Sequence, residues 1–337
     1  MRRLCNILFI IFLLSSFSCQ VNYTGKIMTV DGPIEPVAMG LTLTHEHILV
    51  DFIGADSITY DRWDREKVLE KASPFLSEAK KLGTVTFVEC TPAFLGRDPT
   101  LMRMVSESNG LNVLTNTGYY GASRDRYVPA FAYKETADEL AARWIKEWRR
   151  GIEGTGVRPG FIKIGVMSGD LSDLHRKLVR AAAKTHLATG LVIASHTGPA
   201  TPAFAELGVL MEEGVSPEAF IWVHAQSEKD SSAHVMAAMT GAWISFDGLN
   251  DDNVPDYVKM IKNMKENNLL NKVLLSHDSG WYKPGLPEGG EYKGYTTLFL
   301  KLIPALRDDG FSDDEINQIL VKNPAEAFTI RIRKAAL

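Results

Sequence analysis

From residue 40 onward, short apolar and β-branched runs recur along the chain, separated by segments of helical period. The runs are 41–44 (LTLT), 84–90 (TVTFVEC), 111–115 (LNVLT) and 160–166 (GFIKIGV). They continue with 191–195 (LVIAS), 220–223 (FIWV), 242–246 (AWISF) and 272–276 (KVLLS). Unbroken apolar strands alternating with helices predict a parallel sheet covered on both faces. Eight such units predict an α/β fold of the (β/α)8 TIM-barrel class. Ahead of them, 26–36 (KIMTVDGPIEP) places Asp31-Gly32 between two extended stretches, the signal for a short N-terminal β-hairpin.

The intervals support helices. Between 65 and 81, Val68, Leu69, Ala72, Leu76 and Ala79 fall near one face, and Pro74 predicts a kink there or two shorter helices. Between 136 and 150, Leu140, Trp144 and Trp148 follow at i, i+4 and i+8, which reads as core packing. Ser312 followed by Asp-Asp-Glu is an N-cap with an acidic first turn, opening a helix over 312–320.

Composition narrows the class without changing it. The 337 residues are 45% hydrophobic and 23% charged, ordinary for a globular protein and unlike a disordered, collagenous or disulfide-stapled chain. A net charge of -4 leaves no basic excess, so nucleic acid is not expected as a partner. Length alone allows one large barrel or two ordinary domains. The even rhythm, with no repeat or linker-like tract, favours one domain over 19–337. Residues 1–18 are set apart: Arg2 and Arg3 precede the apolar run 7–14 (ILFIIFLL) and the mostly small residues 15–18 (SSFS), the layout of a secretory signal peptide. The run is too short to span about 30 Å of hydrocarbon. Cys19 then resembles a bacterial lipoprotein processing site, although Ser16 stands where Leu is usual. Two outcomes follow: a lipid anchor on Cys19, the one expected contact with a membrane, or cleavage nearby and a soluble periplasmic product. Either way the protein is expected to be exported, and Cys19 and Cys90 are not expected to pair.

Candidate chemistry gathers at the ends of the runs, where barrel enzymes build their sites. With a side-chain period of two, His45 and His47 point one way and Glu46 the other. His196, His224 and the pair His277-Asp278 end later runs, and Lys163 lies inside an otherwise apolar one. A buried Lys is costly unless neutralised, paired or modified. A neutral amine can add carbon dioxide and become a carbamate, a bidentate oxygen ligand. Taken singly, each His reads as hydrogen-bonded structure and Lys163 as a snorkelling rim residue. Taken together, four His, one Asp and a carbamate on Lys163 suffice to hold two divalent metal ions. His175, His186 and His234 fall in helical stretches and are expected at the surface. His277 alternates with Asp278 and should face away from the site, in a supporting or packing role. No Gly-x-Ser-x-Gly elbow ends a strand, so a serine hydrolase is unsupported.

The set His45-x-His47, Lys163, His196, His224 and Asp278 resembles the phosphotriesterase family of the amidohydrolase superfamily, and in particular its lactonase-like members. Around it stand 29–33 (TVDGP), 40–47 (GLTLTHEH), Gly96-Arg97-Asp98, 116–120 (NTGYY) and Asn323-Pro324-Ala325, so the resemblance covers about residues 26–330. It implies a binuclear hydrolase, usually of zinc. His45, His47 and Asp278 would hold the more buried ion, His196 and His224 the more exposed one, and carbamylated Lys163 would bridge them. A hydroxide shared by the metals would attack a lactone or related ester, with Asp278 as the catalytic proton acceptor. Family members are often dimers, which leaves a homodimer open, while no interface is legible in the sequence.

The resemblance departs at the proton relay. Phosphotriesterases proper carry an acid three residues after the sixth-strand His, where this chain has Ser227; Glu228 and Asp230 are near only in sequence. The seventh strand ends 246–248 (FDG) without the His those enzymes place nearby. Lactone or ester hydrolysis is therefore favoured. A phosphotriesterase or phosphodiesterase on the same site is the alternative, and a catalytically silent surface binding protein the third reading, disfavoured by the complete ligand set. Tyr120 either meets substrate or packs at the rim. The loop 280–295 (GWYKPGLPEGGEYKGY) is the expected specificity segment, with Trp281 and Lys283 as substrate contacts. Lys283 and Lys293 either greet an anionic group or are solvated.

Overall fold

The computed structural model describes residues 22–336. The signal peptide read at 1–18, and Cys19, lie outside the described residues. Strands β1 (Ile27–Thr29) and β2 (Gly32–Ile34) form the expected hairpin, with Thr29 opposite Gly32 and the Thr29 hydroxyl donating to the Gly32 carbonyl at 2.8 Å.

Each of the eight apolar runs then becomes a strand. They are β3 (Thr42–Glu46), β4 (Thr86–Glu89), β5 (Asn112–Leu114) continued by β6 (Asn116–Thr117), β7 (Phe161–Gly165), β8 (Ile193–His196), β9 (Phe220–Val223), β10 (Trp243–Phe246) and β11 (Val273–Leu275). Between them run α1 (Arg65–Lys81), α2 (Pro99–Asn109), α3 (Ala130–Lys134), α4 (Ala137–Arg150), α5 (Asp173–Thr189), α6 (Ala200–Glu212), α7 (Ser231–Met239) and α8 (Val254–Glu266). Every strand pairs in parallel with its neighbour, in the orders β3-β4-β5 and β6-β7-β8-β9-β10-β11. The first and last strands also meet. The Thr44 hydroxyl donates to the Leu275 carbonyl at 3.0 Å, and the Asp278 amide to the His45 carbonyl at 3.1 Å. This is an α/β fold with a central parallel sheet, consistent with a TIM barrel.

The sheet is apolar on both faces, as its unbroken strands require. Phe87, Ile193 and Trp222 pack with helix residues such as Val68, Leu178 and Leu207. Val88, Ala194, Ile221, Val223 and Leu274 form a second cluster on the opposite face. That second face leads, at the C-terminal ends of the strands, into the candidate site.

Local signals mostly translate directly. Thr136 and Glu139 close a capping box on α4; Trp144 is buried and Trp148 half-buried against Tyr23. Ser312 caps Asp313–Asn317 in the same way, after which the chain widens into a π-helical turn at Gln318–Lys322. Pro74 does not divide α1, which runs as one helix. Pro74 is exposed, so the Glu70 carbonyl that loses its partner can turn to water.

Three expectations are overturned: His175, His186 and His234 are buried, not superficial. Each ties at least one ring nitrogen to a backbone carbonyl. His186 donates from Nδ1 to the Leu191 carbonyl at 2.7 Å and accepts the Arg333 amide at 2.9 Å, tying the C-terminal segment to α5. Burial pulls its pKa down to about 4. His234 donates to the Ala225 carbonyl at 2.7 Å between the rings of Trp222 and Phe246. His175 lies between the Gly121 carbonyl at 3.0 Å and Asp125 at 2.9 Å. Helical periodicity alone could not separate a polar helix face from a His that pairs with a neighbouring loop. Among the described residues, no helix is long and apolar enough to cross a membrane.

Candidate active site

His45, His47, Lys163, His196, His224 and Asp278 all line one cavity of about 70 Å³ at the strand ends. The imidazoles crowd there: ring centroids are 5.4 Å apart for His45 and His47, 5.0 Å for His45 and His224, and 4.3 Å for His196 and His224. Asp278 Oδ1 lies 2.9 Å from His47 Nε2 and 3.6 Å from His45 Nε2. One ligand atom each from His45, His224 and Asp278 lies within 4.8 Å of the others.

Simple alternation does not produce this convergence. Between Leu43 and Glu46, β3 carries one residue more than β4, a bulge that re-aims the His45–His47 segment. His224 (φ 62°) and Asp278 (φ 55°) are both left-handed, a conformation that non-glycine residues adopt at a cost of order 1–3 kcal/mol. Val223 belongs to the inner cluster, so a regular strand would turn His224 away; the left-handed step brings it back. Gly118 serves Lys163: a Cβ there would sit 2.0 Å from the Lys163 carbonyl oxygen, so only glycine permits this approach of the chain to β7.

Hydrogen bonds settle which ring nitrogens face the cavity. Asp247 is fully buried and divides its carboxylate, Oδ1 lying 2.7 Å from His224 Nδ1 and Oδ2 3.1 Å from His45 Nδ1. Both rings therefore donate from Nδ1 and turn Nε2 to the cavity. The Thr91 hydroxyl donates to the Leu49 carbonyl at 2.9 Å, so it accepts from His47 Nδ1 at 2.7 Å. That leaves His47 Nε2 opposite a carboxylate oxygen of Asp278, a position for a proton or a metal cation.

The electrostatics follow from burial and these pairs. Burial works against ionised Asp247, yet His224 and His45 hold it well below the carboxylate range. Burial, then Lys163, lowers His45 to about 4 against the pull of Asp247. Burial, His224 and Lys163 push His196 well down. At His224 burial also disfavours charge, but Asp247 outweighs it and its pKa rises. Lys163 is 2% exposed and its Nζ has no hydrogen-bond partner among the described residues. A buried amine without a partner among the described residues, beside imidazoles and a carboxylate, fits a lysine that is modified or that helps to hold a cation. The donor set, nitrogen and oxygen only, suits zinc.

Around the ligands the cavity is apolar, with Val50, Phe52, Pro92, Leu95, Tyr120 and Trp281. Tyr120 Oη lies 3.2 Å from both nitrogens of His196. Trp281 stands at right angles to His47, and its buried indole N–H has no partner among the described residues. Lys283 is outside the lining, its ammonium 5.5 Å from the Trp281 ring, and Lys293 meets Gly280 through backbone. Glu228 and Asp230 are also elsewhere, Glu228 accepting the Ala200 amide and Asp230 capping α7. Asp247 and Thr91, which orient the imidazoles, were not legible as site residues. Asp247 carries one local signal, an acid directly after a strand.

The model of the phosphotriesterase family matches residues 25–328. A phosphotriesterase homology protein of Escherichia coli is 30% identical over 294 residues, 86% of this chain and 98% of that protein. An N-acetyltaurine hydrolase of Dictyostelium discoideum is 26% identical over 371 residues, 91% of this chain and 98% of its own length. An aryldialkylphosphatase of Saccharolobus solfataricus is 26% identical over 313 residues, covering 88% and 97% respectively.

Proposed function

The chain belongs to the phosphotriesterase family, and from that premise we propose that it is a metal-dependent hydrolase of lactones or related esters, built on a closed (β/α)8 barrel. The observation that carries the reading is the convergence of His45, His47 and His224, each tied back through Nδ1, with Asp278 and Lys163, whose amine has no partner among the described residues, on one cavity. His45, His47 and Asp278 would hold one zinc ion, His196 and His224 the second, and Lys163 would bridge them after its amine adds carbon dioxide and loses a proton. Bound divalent ions would polarise the scissile carbonyl or phosphoryl oxygen and lower the pKa of water towards neutrality.

The chain's own residues supply the rest. Asp278 accepts the proton released by the attacking water and passes it to the leaving group. Asp247 and Thr91 keep the imidazoles in the tautomer that binds a cation. Tyr120 and Trp281 roof the cavity, exclude bulk water and orient the substrate, the indole N–H offering one donor to it. Among the described residues the lining holds no Arg and no Lys besides Lys163, which the bridge would use, so no side-chain cation is left for an anionic group, which favours an uncharged substrate. The exported location, the anchor on Cys19 and a homodimer complete the proposal. A Cys19→Ala variant should move from membrane to soluble fraction; a wild-type protein already soluble removes the anchor.

One relative is named for aryldialkylphosphate hydrolysis, which favours phosphotriester or phosphodiester hydrolysis as the second reading. Ser227 and the absence of a His at 246–248 count against it. The deciding experiment loads the protein with zinc and compares lactones, aryl esters, phosphotriesters and N-acetyltaurine. Highest kcat/KM on lactones or esters supports the first reading; predominance of phosphotriesters reverses the ranking.

A further inference from the structure

We propose that Glu46, the residue between two candidate ligands, is a positioning residue for Asp278. Its side chain lies on the far side of β3 from the cavity and is completely buried. Among the described residues, every hydrogen-bond partner of this carboxylate comes from the three residues flanking Asp278. Oε1 accepts the Ser276 hydroxyl at 2.7 Å, the His277 amide at 3.0 Å and His277 Nδ1 at 2.6 Å. Oε2 accepts the Ser279 amide at 2.9 Å. The His277 tautomer is set from behind, because Nε2 accepts the Leu298 amide at 3.1 Å.

These bonds enclose the one residue of that turn that faces the cavity. Asp278 is left-handed, a conformation a strand end would not keep unaided. A carboxylate holding the residues on both sides of it removes the freedom to relax. The same strand ends are stitched by the His45 amide to the Ser276 hydroxyl at 3.0 Å and by the His47 amide to the Ser279 carbonyl at 2.9 Å. The Glu46 carboxylate thus fixes the Asp278 turn against the strand that carries His45 and His47. An amide cannot replace it, since four donors converge on two oxygens and a Gln nitrogen would oppose a donor.

The role rests on the metal-centre reading above, and its test separates the two. Zinc stoichiometry by elemental analysis and zinc affinity by chelator competition are measured on wild type, Glu46→Gln and Leu76→Ala. Leu76→Ala is the control, a buried α1 residue remote from the strap that lowers Tm without touching the turn. Assays run well below the Tm of every variant. Glu46→Gln should weaken zinc binding about 10- to 100-fold and lower kcat more than it raises KM, while Leu76→Ala keeps wild-type affinity. If Glu46→Gln fails to fold, Ser276→Ala, which removes one of the four donors, should weaken binding several-fold in the same direction. Zinc affinity in the folded Glu46 or Ser276 variant equal to that of Leu76→Ala overturns the role of Glu46 alone. A wild-type protein that binds no zinc overturns the metal-centre reading itself.

Discussion

His224 Nδ1 and Asp247 Oδ1 lie 2.7 Å apart, and the second oxygen of that carboxylate reaches His45. One buried acid thus orients imidazoles from β3 and from the end of β9, which serve different ions in the proposed centre. Ser245 adds a hydroxyl to the same carboxylate at 2.6 Å.

Asp247→Asn should therefore weaken both ions together, because loss of the carboxylate charge weakens both Nδ1–H bonds and the amide nitrogen in addition opposes one of them. The expected loss is about 10- to 100-fold in metal affinity, read by chelator competition with both sites titrated. Loss of one ion with the other unchanged would place Asp247 behind a single ligand.

Lys163 has opposite consequences with and without metal. In metal-free protein its buried amine, without a partner among the described residues, is a cost, so Lys163→Met should raise stability by about 1–3 kcal/mol. With zinc and bicarbonate supplied, wild type should become the more stable of the two. Lys163→Ala should lose metal and activity together, with partial rescue by a short carboxylic acid. Thermal melts with and without zinc check the first pair, and unchanged metal content in Lys163→Ala removes the bridge.

His186 gives a pH dependence distant from the site. Burial lowers its pKa from 6.5 to about 4, so the unfolded chain binds the extra proton first. Its contribution is complete above pH 6.5 and drains as pH falls towards 4, to a total of roughly 3 kcal/mol. Denaturant unfolding of metal-free wild type and His186→Asn at pH 7.5 and pH 4.5 should show the smaller pH loss in the variant. Equal losses would detach His186 from acid sensitivity.

Much of this molecule was legible because its signals are local. Eight apolar runs mark the strands, and a His-x-His pair, an isolated strand Lys and strand-end His and Asp mark the residues that line the candidate site, since each type is costly where it stands without a purpose. What escaped depends on partners distant in sequence. His186 looks superficial until Arg333 packs on it, and Pro74 looks disruptive until its face is known to be exposed. Asp247 and Glu46 acquire meaning only from residues 23 and more than 200 positions away. The β3 bulge and the left-handed turns at His224 and Asp278 have no local signature, yet they aim the ligands.

The central claim is tested most directly by counting metal. Protein produced with zinc and bicarbonate, desalted and measured by elemental analysis, should carry about two zinc ions per chain, falling to a minor fraction in Lys163→Ala. A correctly folded wild-type protein that retains none, and takes none up when titrated, would contradict the account.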